Sequence, residues 1–116
     1  MALFVNNIIV EVRFEAQHPE GEKQLAKLTI GQPENNGHSW ICDVSTEGIG
    51  YDREFSSQGT DSLLALMSGL SGAQALLVRA KKDGWKFYYS DSSDEKSIND
   101  FFPIHLFQDS PMTKST

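Results

Sequence analysis

A chain of 116 residues with 39% hydrophobic and 22% charged residues has the composition of one ordinary soluble globular domain and is too short for two. Ten Lys and Arg against sixteen Asp and Glu leave a net charge of -6, which argues against a nucleic-acid partner, because that binding needs a basic footprint on phosphates. The lone Cys42 excludes an internal disulfide and leaves a zinc site far short of ligands.

The first residues carry no basic stretch, and Glu11 and Arg13 interrupt the apolar run that follows. A secretory signal needs about 7–15 continuous apolar residues and a membrane helix about 20. Neither is expected, so the chain reads as cytoplasmic with no membrane association. From Ile8 to Glu15, Ile8, Val10, Val12 and Phe14 alternate with Ile9, Glu11, Arg13 and Glu15, the period of a half-buried strand. Gln17–Glu22 holds Pro and Gly and predicts a turn. Ala26, Leu28 and Ile30 then point inward, with Lys27 and Thr29 outward. The two runs predict an antiparallel hairpin.

Residues 32–38 are rich in turn formers and read as a loop. A third strand follows, with Trp40, Cys42 and Val44 on one face and Ile41 and Asp43 on the other. Gly48 and Gly50 turn the chain into a polar fourth strand, Tyr51–Ser57, whose Asp52, Arg53 and Glu54 suit a sheet edge. Thr60 or Asp61 can then cap a helix over about 61–82. Leu63, Leu66, Met67, Leu70, Ala73 and Leu77 form its expected core stripe, at helical spacing, with Gly84 as the stop. Gly69 and Gly72 either let that helix approach the sheet closely or divide it in two. Trp85–Tyr89 is a fifth strand, and Ser97–Phe101 forms a short helical turn before Pro103. Ile104, Leu106 and Phe107 are expected to return to the core. The organisation predicted is one α+β domain over 1–108, an antiparallel sheet of about five strands with the long helix on one face, and a flexible tail at 109–116.

Little in the sequence points to chemistry. Cys42 lies mid-strand beside Trp40 and Val44, where cysteine acts as a small hydrophobe and not as a nucleophile. His18, His38 and His105 are scattered and form no ligand pair. The carboxylates sit mostly at outward strand positions and turns, where solvation accounts for them. No phosphate-loop pattern surrounds the glycines. No catalytic residue, cofactor or metal is therefore expected, and the chain does not read as an enzyme.

Charge is unevenly placed. Residues 79–86 carry Arg79, Lys81, Lys82 and Lys86 against Asp83, a local +3 that leaves -9 to the rest. Asp91, Asp94 and Glu95 form an acidic cluster just after the aromatic strand. Acids interleaved with tyrosines are suited to docking on a basic protein and to electrostatic steering. The candidate partner-binding residues are Tyr51 and Glu54 on the fourth strand, and Tyr88, Asp91, Asp94 and Glu95 around the end of the fifth. Tyr88 is chosen because alternation sets it opposite Trp85, Phe87 and Tyr89.

Two stretches, Ser39-Trp40-Ile41-Cys42 and Gly59-Thr60-Asp61-Ser62-Leu63-Leu64-Ala65-Leu66, carry a resemblance. The Trp-x-Cys strand followed by a Gly-x-Asp-Ser-x-x-Ala-Leu helix start resembles a family of small bacterial domains of uncharacterised function. Families of that kind occur beside secreted toxins, where small acidic α+β proteins serve as immunity proteins. The resemblance implies a protein that neutralises a basic toxin domain by direct binding, and it brings no catalytic residue. The alternatives are a structural or adaptor domain of a bacterial or phage assembly, and a small ligand-binding domain or enzyme.

Overall fold

A computed structural model describes residues 4–103. The tail expected at 109–116, and the apolar residues 104, 106 and 107, lie outside the described residues. Six strands and two helices follow in order: β1 (Ile8–Gln17), β2 (Lys23–Gly31), β3 (Glu34–Asn35), β4 (Trp40–Glu47), β5 (Arg53–Gly59), α1 (Ser62–Lys82), β6 (Lys86–Tyr89) and α2 (Ile98–Phe101). All strand pairings are antiparallel, and α1 packs on one face of the sheet against β4 and β5. The α+β architecture expected from the sequence is the one observed.

The sixth strand is β3, inside the segment expected to be loop. It exists because Asn36 closes a tight reversal. Its side-chain oxygen accepts the backbone N–H groups of His38 and Ser39 at 3.0 and 2.9 Å, the local bonding that suits Asn to turns. Glu34 and Asn35 can then pair with Ile41 and Trp40 of β4. One edge of β4 is filled by β5 along Trp40–Thr46. Therefore β3 and β2 share the other edge, end to end, and the sheet runs β5-β4-β2-β1-β6 with β5 and β6 at opposite margins. The polar edge strand starts at Arg53, two residues later than Tyr51.

The hairpin of β1 and β2 sets the core. Phe14, Ala16, Ala26, Leu28 and Ile30 are all buried on the helix face. Phe14, Phe87 and Phe101 meet edge to face, with centroids 4.8–5.7 Å apart, so α2 closes the β1–β6 side. The expected inward set is broken at its start. The register slips between Ile8 and Val10, so Ile8 stands opposite Gly31 and turns to the outer face. A bulge inserts one residue and ends the simple alternation. Ile9 and Val10 are also exposed.

The helix is single and well capped. The Asp61 carboxylate accepts the Leu64 N–H at 2.7 Å, and Gly84 and Trp85 donate to the carbonyls of Lys81 and Ala80 at 3.0 and 3.1 Å. That pair of bonds is the Schellman termination. Its buried face is Ala65, Gly69, Ala73, Gln74, Leu77 and Ala80. Ala73 and Leu77 of the expected stripe are in it, and the rest of the stripe is rotated away. Leu63 is 67% exposed and Met67 38%, while Leu66 and Leu70 are only half-buried against the core. The cause is close approach. A Cβ on Gly69 would stand 3.1 Å from Cys42 Sγ and from Val44 Cγ2, and one on Gly72 would stand 2.8 Å from the Phe55 ring. By length and composition α1 is also apolar enough to cross a membrane.

Candidate functional site

The acidic residues after β6 are held in an ordered strap. Past Tyr89 the chain reverses through Asp91, whose φ is +54°, a left-handed conformation that Asp tolerates better than most residues. It then returns along β6: Tyr89 N–H donates to Asp94 O at 3.1 Å and Lys96 N–H to Phe87 O at 2.7 Å, with Tyr88 opposite Glu95. The strap is anchored through Lys96, which is 9% exposed. Its ammonium lies 4.2 Å from the Phe101 ring centroid and 5.1 Å from that of Tyr89. Burial holds this ammonium below the usual lysine range, against the opposing pull of Asp100. Asp100 itself is held below the usual carboxylate range, chiefly by the Ser97 backbone N–H.

Within this corner the expected residues divide. Asp91 and Asp94 are exposed, and neither forms an ion pair among the described residues. Glu95 pairs with Lys81 of α1 at 3.3 Å, so the basic end of the helix neutralises part of the acidic cluster. Tyr88 is occupied on both counts: its hydroxyl donates to Gln17 Oε1 at 3.2 Å and Lys23 Nζ stands 3.8 Å above its ring.

Tyr51 and Glu54 do not join them. Tyr51 lies in the β4–β5 connection, where its hydroxyl donates to Asp83 Oδ2 and the Arg79 guanidinium stands 5.4 Å from its ring. That side chain ties the connection to the end of α1. Glu54 is on the opposite face of β5, exposed, at the far margin of the sheet from β6. Three residues apart, the two side chains fall on opposite sides of the sheet, Tyr51 toward the end of α1 and Glu54 toward the outer face, so the pair is not one patch.

Cys42 is fully buried, and burial, then Asp43, pushes its thiol up from the usual range. Its S–H donates to Gly31 O at 3.5 Å, and its surroundings suit packing, not nucleophilic attack. Among the described residues, no three His, Cys, Asp or Glu side chains converge to hold a metal ion.

A second feature is invisible along the sequence. Strand register lays Glu11, Thr29, Ser45 and Glu54 in one row across the outer face, each opposite the next. The N-terminal segment crosses this face: Val5 is buried, and a Cβ on Gly31 would come 2.8 Å from its Cγ1. Phe4, Val5 and Ile8 thereby wall a small cavity of about 70 Å³ over Thr29 and Ser45. Only the pairing of four strands lines these residues up; period-2 alternation marked Thr29 as merely outward.

The family model described as a domain of unknown function, DUF6968, matches residues 10–98. The chain belongs to this family. The matched span of this DUF6968 chain runs from β1 to the first residue of α2, and so takes in the Trp40-x-Cys42 strand and the Asp61 helix start. It also takes in both the acidic strap and the Thr29–Ser45 row. No curated protein and no solved structure matches the chain significantly.

Proposed function

We propose that this DUF6968 protein is a small acidic protein-binding module with no catalytic role, acting in the cytoplasm as a bacterial immunity protein that neutralises a basic toxin domain. The observation that supports the reading is the ordered strap, which holds Asp91 and Asp94 exposed and free of ion pairs among the described residues. Charges held in a preformed turn lose little entropy on docking, and they steer a basic partner toward the surface. Asp91 and Asp94 form the centre of this interface. Tyr88 and Glu95 flank it as supports, and Glu54 and Tyr51 lie outside it.

The test is capture of the partner from the cells that encode the protein, followed by association kinetics. Asp91→Asn keeps a residue that tolerates a positive φ, so Asp91→Asn combined with Asp94→Lys removes charge without forcing the turn. The folded double variant is expected to associate about tenfold more slowly at low salt, with dissociation nearly unchanged. Unchanged association kinetics, or capture of no basic partner, would reject the reading.

A further inference from the structure

We propose that the outer-face cavity over Thr29 and Ser45 is a binding site for a primary ammonium group on a short alkyl chain. Thr29 is 4% exposed and Ser45 8%, and both line the cavity. Among the described residues neither hydroxyl has a hydrogen-bond partner. Buried polar groups are nearly always satisfied by protein, by ordered water or by a bound species, so these two buried hydroxyls take their partner from within the cavity they line.

The surroundings define what satisfies them. Glu54 stands directly opposite Ser45, lines the same cavity and forms no ion pair among the described residues. The other charges on the wall are Lys27 and Glu47, which face each other across the strands at 3.8 Å. The wall therefore carries a net single negative charge, on the side of Glu54. A primary ammonium has three N–H donors, and the Thr29 hydroxyl, the Ser45 hydroxyl and the Glu54 carboxylate supply three acceptors. These three positions are spaced by roughly 4.8 Å from strand to strand. Phe4, Val5 and Ile8 give the chain behind the ammonium an apolar wall. A cavity of about 70 Å³ is several times the roughly 10–15 Å³ that admits one water, which leaves room for an ammonium and its first methylene, with the remaining chain at the mouth. An anion would meet Glu54 and Glu47, and a neutral alcohol would gain no attraction from the Glu54 charge. The ammonium comes either from a free small amine or from a lysine side chain of a partner protein.

The site is independent of the acidic strap, so its test can fail without affecting that reading. The full chain, isotopically labelled, is titrated with propylammonium chloride at fixed pH and ionic strength and followed by amide NMR. Saturable shifts at Thr29, Ser45 and Glu54 are expected. Propyltrimethylammonium, which has the charge but no N–H donor, and propanol, which lacks the charge, are expected to give no saturable shift there. Glu54→Gln lies on an exposed edge strand and should leave the fold intact; it is expected to weaken propylammonium binding about tenfold, the scale of one charge-assisted hydrogen bond. Ser45→Ala is a second variant, with weakening in the same direction expected. Nα-acetyl-lysine methylamide separates the sources: binding at the same residues supports a partner lysine, and binding of propylammonium alone supports a free amine. Absence of saturable shifts, equal response to the quaternary amine or the alcohol, or unchanged affinity in folded Glu54→Gln would overturn the assignment.

Discussion

The two long flanks of α1 have opposite fates. The flank built of Ala65, Gly69, Ala73 and Ala80, with Leu77, is buried. The flank with Leu63, Leu64 and Met67 is exposed. Hydrophobicity alone ranks these flanks the other way round. What decides is the shape of the surface underneath. Phe55, Cys42 and Val44 rise from β4 and β5 and already fill the space between the layers, so the helix gains most by coming close. Close approach demands small side chains and trades leucine burial for many short contacts at interior packing density. A stripe of small residues can therefore be the core face of a helix when the sheet supplies the volume.

Three substitutions sharpen the comparison. Leu77, the one large apolar side chain on the buried flank, is fully buried, and Leu77→Ala is expected to lose about 2–5 kcal/mol through transfer and cavity terms. Chemical denaturation would measure it. Gly69→Val would drive methyl groups against Cys42 Sγ and Val44; overpacking of that kind costs about 1–3 kcal/mol, against which a valine's better helix propensity returns well under 1 kcal/mol. A stabilised Gly69→Val would show that the layers are free to separate, and would refute the close-approach argument. Leu63→Ala removes as many atoms as Leu77→Ala, yet its loss should stay within about 0.5 kcal/mol, because the side chain is largely in solvent. Equal losses at 63 and 77 would erase the distinction between the flanks.

The same contrast explains which parts of the fold were legible from residues alone. The Ala26-Leu28-Ile30 and Cys42-Val44 alternations, the Asp61 cap and the Gly84 stop are local signals, and each stands where its pattern placed it. The bulge beside Ile9 was not legible. It changes which face Ile8 occupies without changing the sequence pattern that suggests a strand. The two-residue β3 was missed for a similar reason: its pairing depends on β4 being beside it, not on any strand propensity of Glu34 and Asn35.

The candidate site divides along the same line. Local sequence identified the acidic residues at 91, 94 and 95, and they do lie in one strap. It had no means of separating Glu95, neutralised by Lys81, from Asp91 and Asp94, because that ion pair joins the end of the helix to a segment fourteen residues away. Tyr51 looked like a surface anchor and is instead bonded to Asp83, a contact made across thirty-two residues.

By itself the sequence determined the types of the longer elements, the α+β class, the helix ends and the acidic character, because periodicity, capping chemistry and net charge act over a few residues or over composition as a whole. Only the tertiary structure decided which helix flank is core, which face Ile8 joins, which acids remain free, and that Thr29 meets Ser45 beside Glu54. Those outcomes depend on which strand lies next to which and how closely the layers pack. Such distances are set by volume and hydrogen-bond register summed over distant segments, and no local stretch of chain encodes them.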